Sequence, residues 1–135
     1  MSVRAFELPV VARDGHRLAV QARIPASPHS TLLFHAGMGI AARHFVPFAD
    51  AMATRGIATF VPDWRGLGSS SVRASRVCDW GYRELLTQDL PAIESAVAQV
   101  VPGVRRIVGG HSLGGQLACV HAGLAPGSAD ALWLV

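Results

Sequence analysis

Val104-Arg105-Arg106-Ile107-Val108-Gly109-Gly110-His111-Ser112-Leu113-Gly114-Gly115 is the stretch from which the rest of the chain is read. Val104 to Val108 is a short apolar run of the kind that forms a buried strand. Two glycines follow at once, and Leu113 to Leu124 then repeats apolar residues at helical spacing. A strand that hands over to a helix within a few residues is the joint of a layered α/β sheet. The same alternation extends in both directions. Upstream, Thr31 to His35 is an apolar strand. Phe48, Ala49, Met52 and Ala53 mark a helix, with Pro47 in its first turn and Gly56 closing it. Ile57 to Val61 is the next strand, and residues 63–79 are a long Gly-, Ser- and Arg-rich loop. Leu86, Leu90, Ile93, Val97 and Val101 mark a further amphipathic helix, with Pro91 near its start or at a kink. Downstream, Pro126-Gly127 turns the chain into a last strand, Ala131 to Val135.

Before Thr31 the pattern changes. Val3 to Val11 and Arg17 to Ile24 read as two strands joined at Asp14-Gly15, a hairpin signal. The expected architecture is therefore α/β: an antiparallel hairpin leading into a mostly parallel sheet of about six strands in all, covered by helices on both faces. The whole of 1–135 reads as part of one domain. A last strand of five apolar residues wants a neighbour, since an exposed edge of that kind invites aggregation.

Composition narrows the classes. Of the 135 residues, 50% are hydrophobic and 16% charged, which excludes a disordered chain. The net charge of +3 comes entirely from arginine, for there is no lysine. These arginines are scattered, with no basic stripe of the kind that binds nucleic acid. No apolar run approaches the roughly 18–20 residues of a membrane span, and Met1 to Leu8 lacks the core of a signal peptide. Cys78 and Cys119 fit no metal spacing and suggest no disulfide, so a reducing, cytoplasmic setting is expected. No metal or organic cofactor is implied.

Gly110-His111-Ser112-Leu113-Gly114 matches G-x-S-x-G, in the strand–turn–helix context of a nucleophile elbow. The turn is tight, and glycines two residues either side of the serine relieve the crowding. Ser112 then stands clear of the sheet at a helix N-terminus, where negative charge is favoured. Ser112 is thus the candidate nucleophile and the Leu113 N–H a candidate oxyanion donor. A second donor is expected from the loop after an earlier strand. His35-Ala36-Gly37-Met38-Gly39 fits, with the Met38 N–H first and Gly37 next. His35 reads as a structural residue of that loop.

These segments, with Asp63-Trp64-Arg65-Gly66-Leu67-Gly68-Ser69-Ser70 between them, resemble the first half of an α/β-hydrolase-superfamily serine hydrolase. The middle segment is similar to the D-x-R-G-x-G-x-S turn after the fourth strand of many members. Asp79-Trp80-Gly81 followed by Asp89-Leu90 resembles bacterial hydrolases near the serine aminopeptidase and monoacylglycerol lipase-like branch. The resemblance implies attack by Ser112 on a carboxylic ester or related acyl bond of a small molecule. It also implies an acid and then a histidine after the serine. Only 23 residues follow Ser112, and neither candidate among them fits. His121 lies nine positions along the helix, roughly 13 Å away. Asp130 precedes the last strand, at the end of the sheet opposite the active sites of such folds. The expected roles are a partly buried helix histidine and a turn or cap aspartate. Upstream, His16 and His29 lie in turns, His44 opens a helix, and His111 is expected to face away from Ser112. The base and acid are therefore expected beyond Val135, and residues 1–135 alone to be inactive.

Two other readings stay open. Gly37-Met38-Gly39-Ile40-Ala41-Ala42, with Asp63 at the end of the next strand, matches a dinucleotide-binding fingerprint. Against it, Asp63, Gly66 and Gly68 are better assigned to loop architecture. The third reading is a non-catalytic binding or interaction module on the same fold.

Overall fold

A computed structural model describes residues 2–135 of the chain. β1 (Val3–Val11) and β2 (Arg17–Pro25) pair antiparallel, from Val3 opposite Pro25 to Val11 opposite Arg17. Gly15, at φ +90°, makes the turn between them. Alternation then sets the faces: β2 buries Leu18, Val20, Ala22 and Ile24 and leaves the residues between them more exposed.

The inner strands are apolar throughout because both of their faces are covered. β3 (Ser30–His35) is buried at every position, and β4 (Ile57–Pro62) at all but its first. β5 (Arg105–Gly110) and β6 (Ala131–Leu134) complete one sheet in the order β1-β2-β4-β3-β5-β6. β2 runs antiparallel to β4, and every pairing from β4 to β6 is parallel. This is the architecture expected from the sequence. β6 is an outer strand, with Leu132, Trp133 and Leu134 between 41% and 51% exposed.

A 3-10 turn, Ala42–Phe45, leads into α1 (Val46–Ala53). With Phe45, Phe48 and Met52, this segment covers Leu32, Phe34 and Val61 on one face of the sheet. Ile93 and Val97 of α3 (Leu90–Val100) and Ala118 of α4 (Leu113–Leu124) pack with Leu33, Phe60 and Val108 on the other.

The helix expected from Leu86 starts earlier and is not uniform. α2 (Tyr82–Glu84) passes through a π-helical turn, Leu85–Asp89, into α3. Pro91 is the second residue of α3, directly after the π turn, so the wider turn sits where proline has no N–H to return to the preceding turn. The wider turn carries Leu85 and Asp89 to buried positions.

Candidate active site

Ser112 joins β5 to α4 with φ +55° and ψ −119°, and it is the only non-glycine residue at positive φ among the described residues. Such a conformation costs about 1–3 kcal/mol and persists only where the surroundings impose it. Here they do so by close approach. A Cβ on Gly110 would sit 2.5 Å from the His35 carbonyl oxygen and from the Gly114 carbonyl carbon. A Cβ on Gly114 would run into the same His35 oxygen and lie 2.6 Å from that of Ala36. The two glycines thus let the turn press backbone-to-backbone on the end of β3, a contact the motif alone does not reveal. Hydrogen bonds fix it: His111 N–H donates to His35 O (3.0 Å), Ser112 N–H to Val135 O (2.9 Å) and Gln116 N–H to Ser112 O (3.0 Å). Ser112 itself is exposed. Ser112→Gly should raise the unfolding free energy by about 1 kcal/mol, because glycine adopts this backbone without strain. Urea unfolding of the two proteins measures it, and an unchanged or lower midpoint would contradict the strain.

The loop after β3 lies alongside. Its Met38 is 70% exposed, and neither the Met38 N–H nor the Leu113 N–H has an acceptor among the described residues. Trp64 braces this loop by donating its indole N–H to Ala36 O at 2.7 Å and stacking on the His35 ring. The His111 ring packs on Gly37, where a Cβ would lie 2.9 Å from Nδ1. Asp63 takes N–H groups from Ala42 (2.8 Å) and Ser69 (2.9 Å), plus the Ser69 hydroxyl (2.7 Å). Both its oxygens are thereby committed to the loops. No regular helix begins at Gly39 either, since α1 starts at Val46. Both observations weigh against the dinucleotide reading.

No histidine or carboxylate hydrogen-bonds the Ser112 hydroxyl among the described residues. Asp130 caps the start of β5, accepting the Arg106 N–H at 2.8 Å. His121 is not partly but almost fully buried, at 5% exposure, with Nδ1 3.3 Å from Glu94 Oε1. It faces inward because α4 lies flat on the sheet, burying Leu117, Ala118 and His121 along one side.

His35 is buried with neither ring nitrogen hydrogen-bonded. Burial, with a smaller repulsion from His121, pushes its pKa down to about 3, so it stays neutral and serves the fold. The sign of the resulting pH effect follows. An unfolded chain takes up a proton at this residue as pH falls through 6.5, whereas the folded chain refuses it until about 3. Stability therefore falls as the pH drops through that window, by roughly a few kcal/mol in all. In His35→Phe, which keeps a flat ring on Trp64, this part of the acid slope should vanish. Urea titrations of both proteins from pH 7 to 3.5 decide it, and parallel slopes would refute it.

Sequence reading missed one cluster. His16 Nδ1 donates to Asp89 Oδ1 at 2.8 Å, and its Nε2 lies 2.7 Å from Ser70 Oγ. This is the contact order of a Ser-His-Asp triad, yet all three residues are buried. Ser70 Oγ is also occupied by the Gly66 N–H at 2.9 Å. Arg65 clamps Asp89 through Nη2 at 2.7 Å and reaches Asp14 through Nη1 at 2.8 Å. The Arg65 hydrogen bond holds the Asp14 carboxyl below its usual range, and Asp89 in turn raises Arg65. The cluster ties the β1–β2 turn, the loop after β4 and the π turn together.

A family model for serine aminopeptidase, S33, matches residues 26–135. The chain belongs to that family. Solved structures agree on the architecture. An α/β hydrolase from Novosphingobium aromaticivorans is 27% identical, with a TM-score of 0.76 over 99% of this chain and 45% of its own. A lipase in open form is 20% identical, with a TM-score of 0.79 over 97% and 44%. An epoxide hydrolase from Vigna radiata is 18% identical, with a TM-score of 0.73 over 98% and 37%. At 20% and 18% identity the last two share the fold alone. This S33-family chain thus spans less than half the length of the solved structures it matches. Among the described residues, no group of three or more His, Cys, Asp or Glu is placed to hold a metal. No described helix is long and apolar enough to cross a membrane.

Proposed function

We propose that this chain carries the nucleophile of a serine hydrolase acting on carboxylic esters or related acyl bonds of small molecules. The observation that supports it is the exposed Ser112, held at φ +55° at the start of α4, with the adjacent Leu113 N–H and the Met38 N–H of the loop after β3 both without acceptors among the described residues. Ser112 Oγ attacks the acyl carbon, and the carbonyl oxygen gains negative charge. The N–H groups of Leu113 and Met38 receive that oxygen. Each such donor is worth about 3–4 kcal/mol of barrier in hydrolases of this chemistry. Collapse of the intermediate expels the alcohol and leaves acyl-serine, which water hydrolyses. A base must take the Ser112 proton and return it to the leaving alcohol. No described residue is placed to do so, so the reading requires a histidine and an acid from outside residues 1–135. These residues then form the N-terminal part of one α/β-hydrolase domain. A serine at 112 favours acyl transfer over epoxide opening, for which this fold uses an aspartate. With both cysteines free, a cytoplasmic setting suits the chain.

The unpartnered Ser112 hydroxyl also suits a non-catalytic binding module on the same fold. Ser112-dependent hydrolysis of p-nitrophenyl butyrate by the product of the full open reading frame separates the two readings.

A further inference from the structure

β3 runs parallel to both β4 and β5, so all three strands end at the edge of the sheet where Ser112 stands. The segment leaving β3, residues 36–42, carries the N–H groups of Gly37 and Met38. The segment leaving β4 begins with Asp63 and Trp64. Each of these adjacent residues holds one end of the donor segment. Trp64 donates its indole N–H to the Ala36 carbonyl at 2.7 Å. Asp63 Oδ1 accepts the Ala42 N–H at 2.8 Å. Between the two anchors the loop closes on itself, with the Ile40 N–H donating to Gly37 O at 3.2 Å.

The Asp63 anchor lies beyond the donors, whereas the Trp64 bond falls on the peptide unit directly before them. Ala36 is fully buried and Trp64 is 7% exposed, so water does not stand in for this bond. Without the indole, the buried carbonyl must turn to another donor or stay unsatisfied. A peptide unit is planar, so the Gly37 N–H turns with the Ala36 carbonyl and the unit bearing the Met38 N–H is displaced after it. An oxyanion donor acts from about 2.7–3.1 Å, and a misplacement of about 1 Å costs on the order of a hundredfold in rate.

We propose that Trp64 is a positioning residue for hydrolysis at Ser112. Its indole N–H, acting through the Ala36 carbonyl, holds the loop donor where the substrate's carbonyl oxygen gains charge. Trp64 itself touches no substrate, and this role rests on the hydrolase reading above. Ser112 and the Leu113 N–H belong to the elbow, so loss of the indole N–H weakens the reaction without abolishing it.

Trp64→Phe tests this in the product of the full open reading frame, since it deletes the N–H and keeps an aromatic ring against His35. Expected is a kcat for p-nitrophenyl butyrate lower by about tenfold to a hundredfold, with KM changed by less than about twofold. The thionoester of the same acid and phenol, with sulfur in place of the carbonyl oxygen, gives the specific signature. Sulfur is a weak acceptor, so the thionoester draws little on the loop donor. The preference for ester over thionoester in kcat/KM should therefore fall about tenfold in Trp64→Phe. Trp80→Phe makes the same deletion on a side chain that packs on Gly66, and should keep the preference of the unsubstituted protein. If Trp64→Phe fails to fold, the isostere 3-benzothienylalanine at position 64, with sulfur where the indole has its N–H, is read in the same way. An unchanged preference, or an equal fall in Trp80→Phe, would overturn the role of Trp64 while Ser112-dependent hydrolysis stands. Absence of Ser112-dependent hydrolysis in the unsubstituted protein would overturn the hydrolase reading and the role of Trp64 with it.

Discussion

Asp89→Ala lowers the unfolding free energy by about 3–5 kcal/mol, the cost of breaking a buried, hydrogen-bonded charge pair from one side. The Asp89 side chain is 3% exposed and its two main partners, His16 and Arg65, are 1% and 8% exposed. Removal leaves the His16 Nδ1 donor with nothing to bond and the guanidinium with only Asp14. Water reaches neither freed group well, so solvation does not make up the loss. Three segments loosen together, because the carboxylate joins the hairpin turn, the Asp63–Ser70 loop and the π turn. Asp50→Ala provides the contrast. Its partner Arg23 lies at 2.8 Å, but Asp50 is 56% exposed, and such a pair is worth well under 1 kcal/mol. Urea unfolding of both variants measures the difference. A cost for Asp89→Ala as small as that for Asp50→Ala would show that the cluster does not brace the fold.

How legible these features are in the sequence depends on how local their causes are. Strand positions follow from apolar runs cut by Gly and Pro, and they match the structure to within about two residues. Leu113–Leu124 coincides with the helix read from its spacing. The turn at Ser112 is legible for the same reason: crowding within five consecutive residues dictates the glycines at 110 and 114. The His16 cluster is not legible, because Ser70 and Asp89 lie 54 and 73 positions from His16. No short-range pattern registers partners at that distance, so His16 reads as a turn residue. The π turn is hidden for a related reason, since its buried Asp89 is stabilised by Arg65 from another segment. The depth of His121 is a matter of degree: spacing places it on the helix, and only packing decides how far it is covered. A base for Ser112 is legible in neither the sequence nor the fold of these residues.

The two Ser-centred clusters make opposite demands on chemistry. Ser112 has exposure, strain and vacant N–H donors but no base. Ser70 has a histidine and an aspartate in line but is buried, with its oxygen already taken. Oxyanion donors and an accessible nucleophile cannot be replaced by a well-ordered base behind a covered hydroxyl. The proposed hydrolytic role therefore rests on Ser112, while Ser70 serves to tie the loops together.

Hydrolysis of p-nitrophenyl butyrate by the product of the full open reading frame, with Ser112→Ala and Ser70→Ala beside it, tests this assignment most directly. Expected is a loss of about 10⁴-fold or more in kcat for Ser112→Ala, the scale seen when a serine nucleophile is removed. Ser70→Ala, if folded, should retain the activity, and residues 1–135 alone should show none above the Ser112→Ala background. Activity that survives Ser112→Ala, or no hydrolysis by the full product at all, would contradict a nucleophilic Ser112.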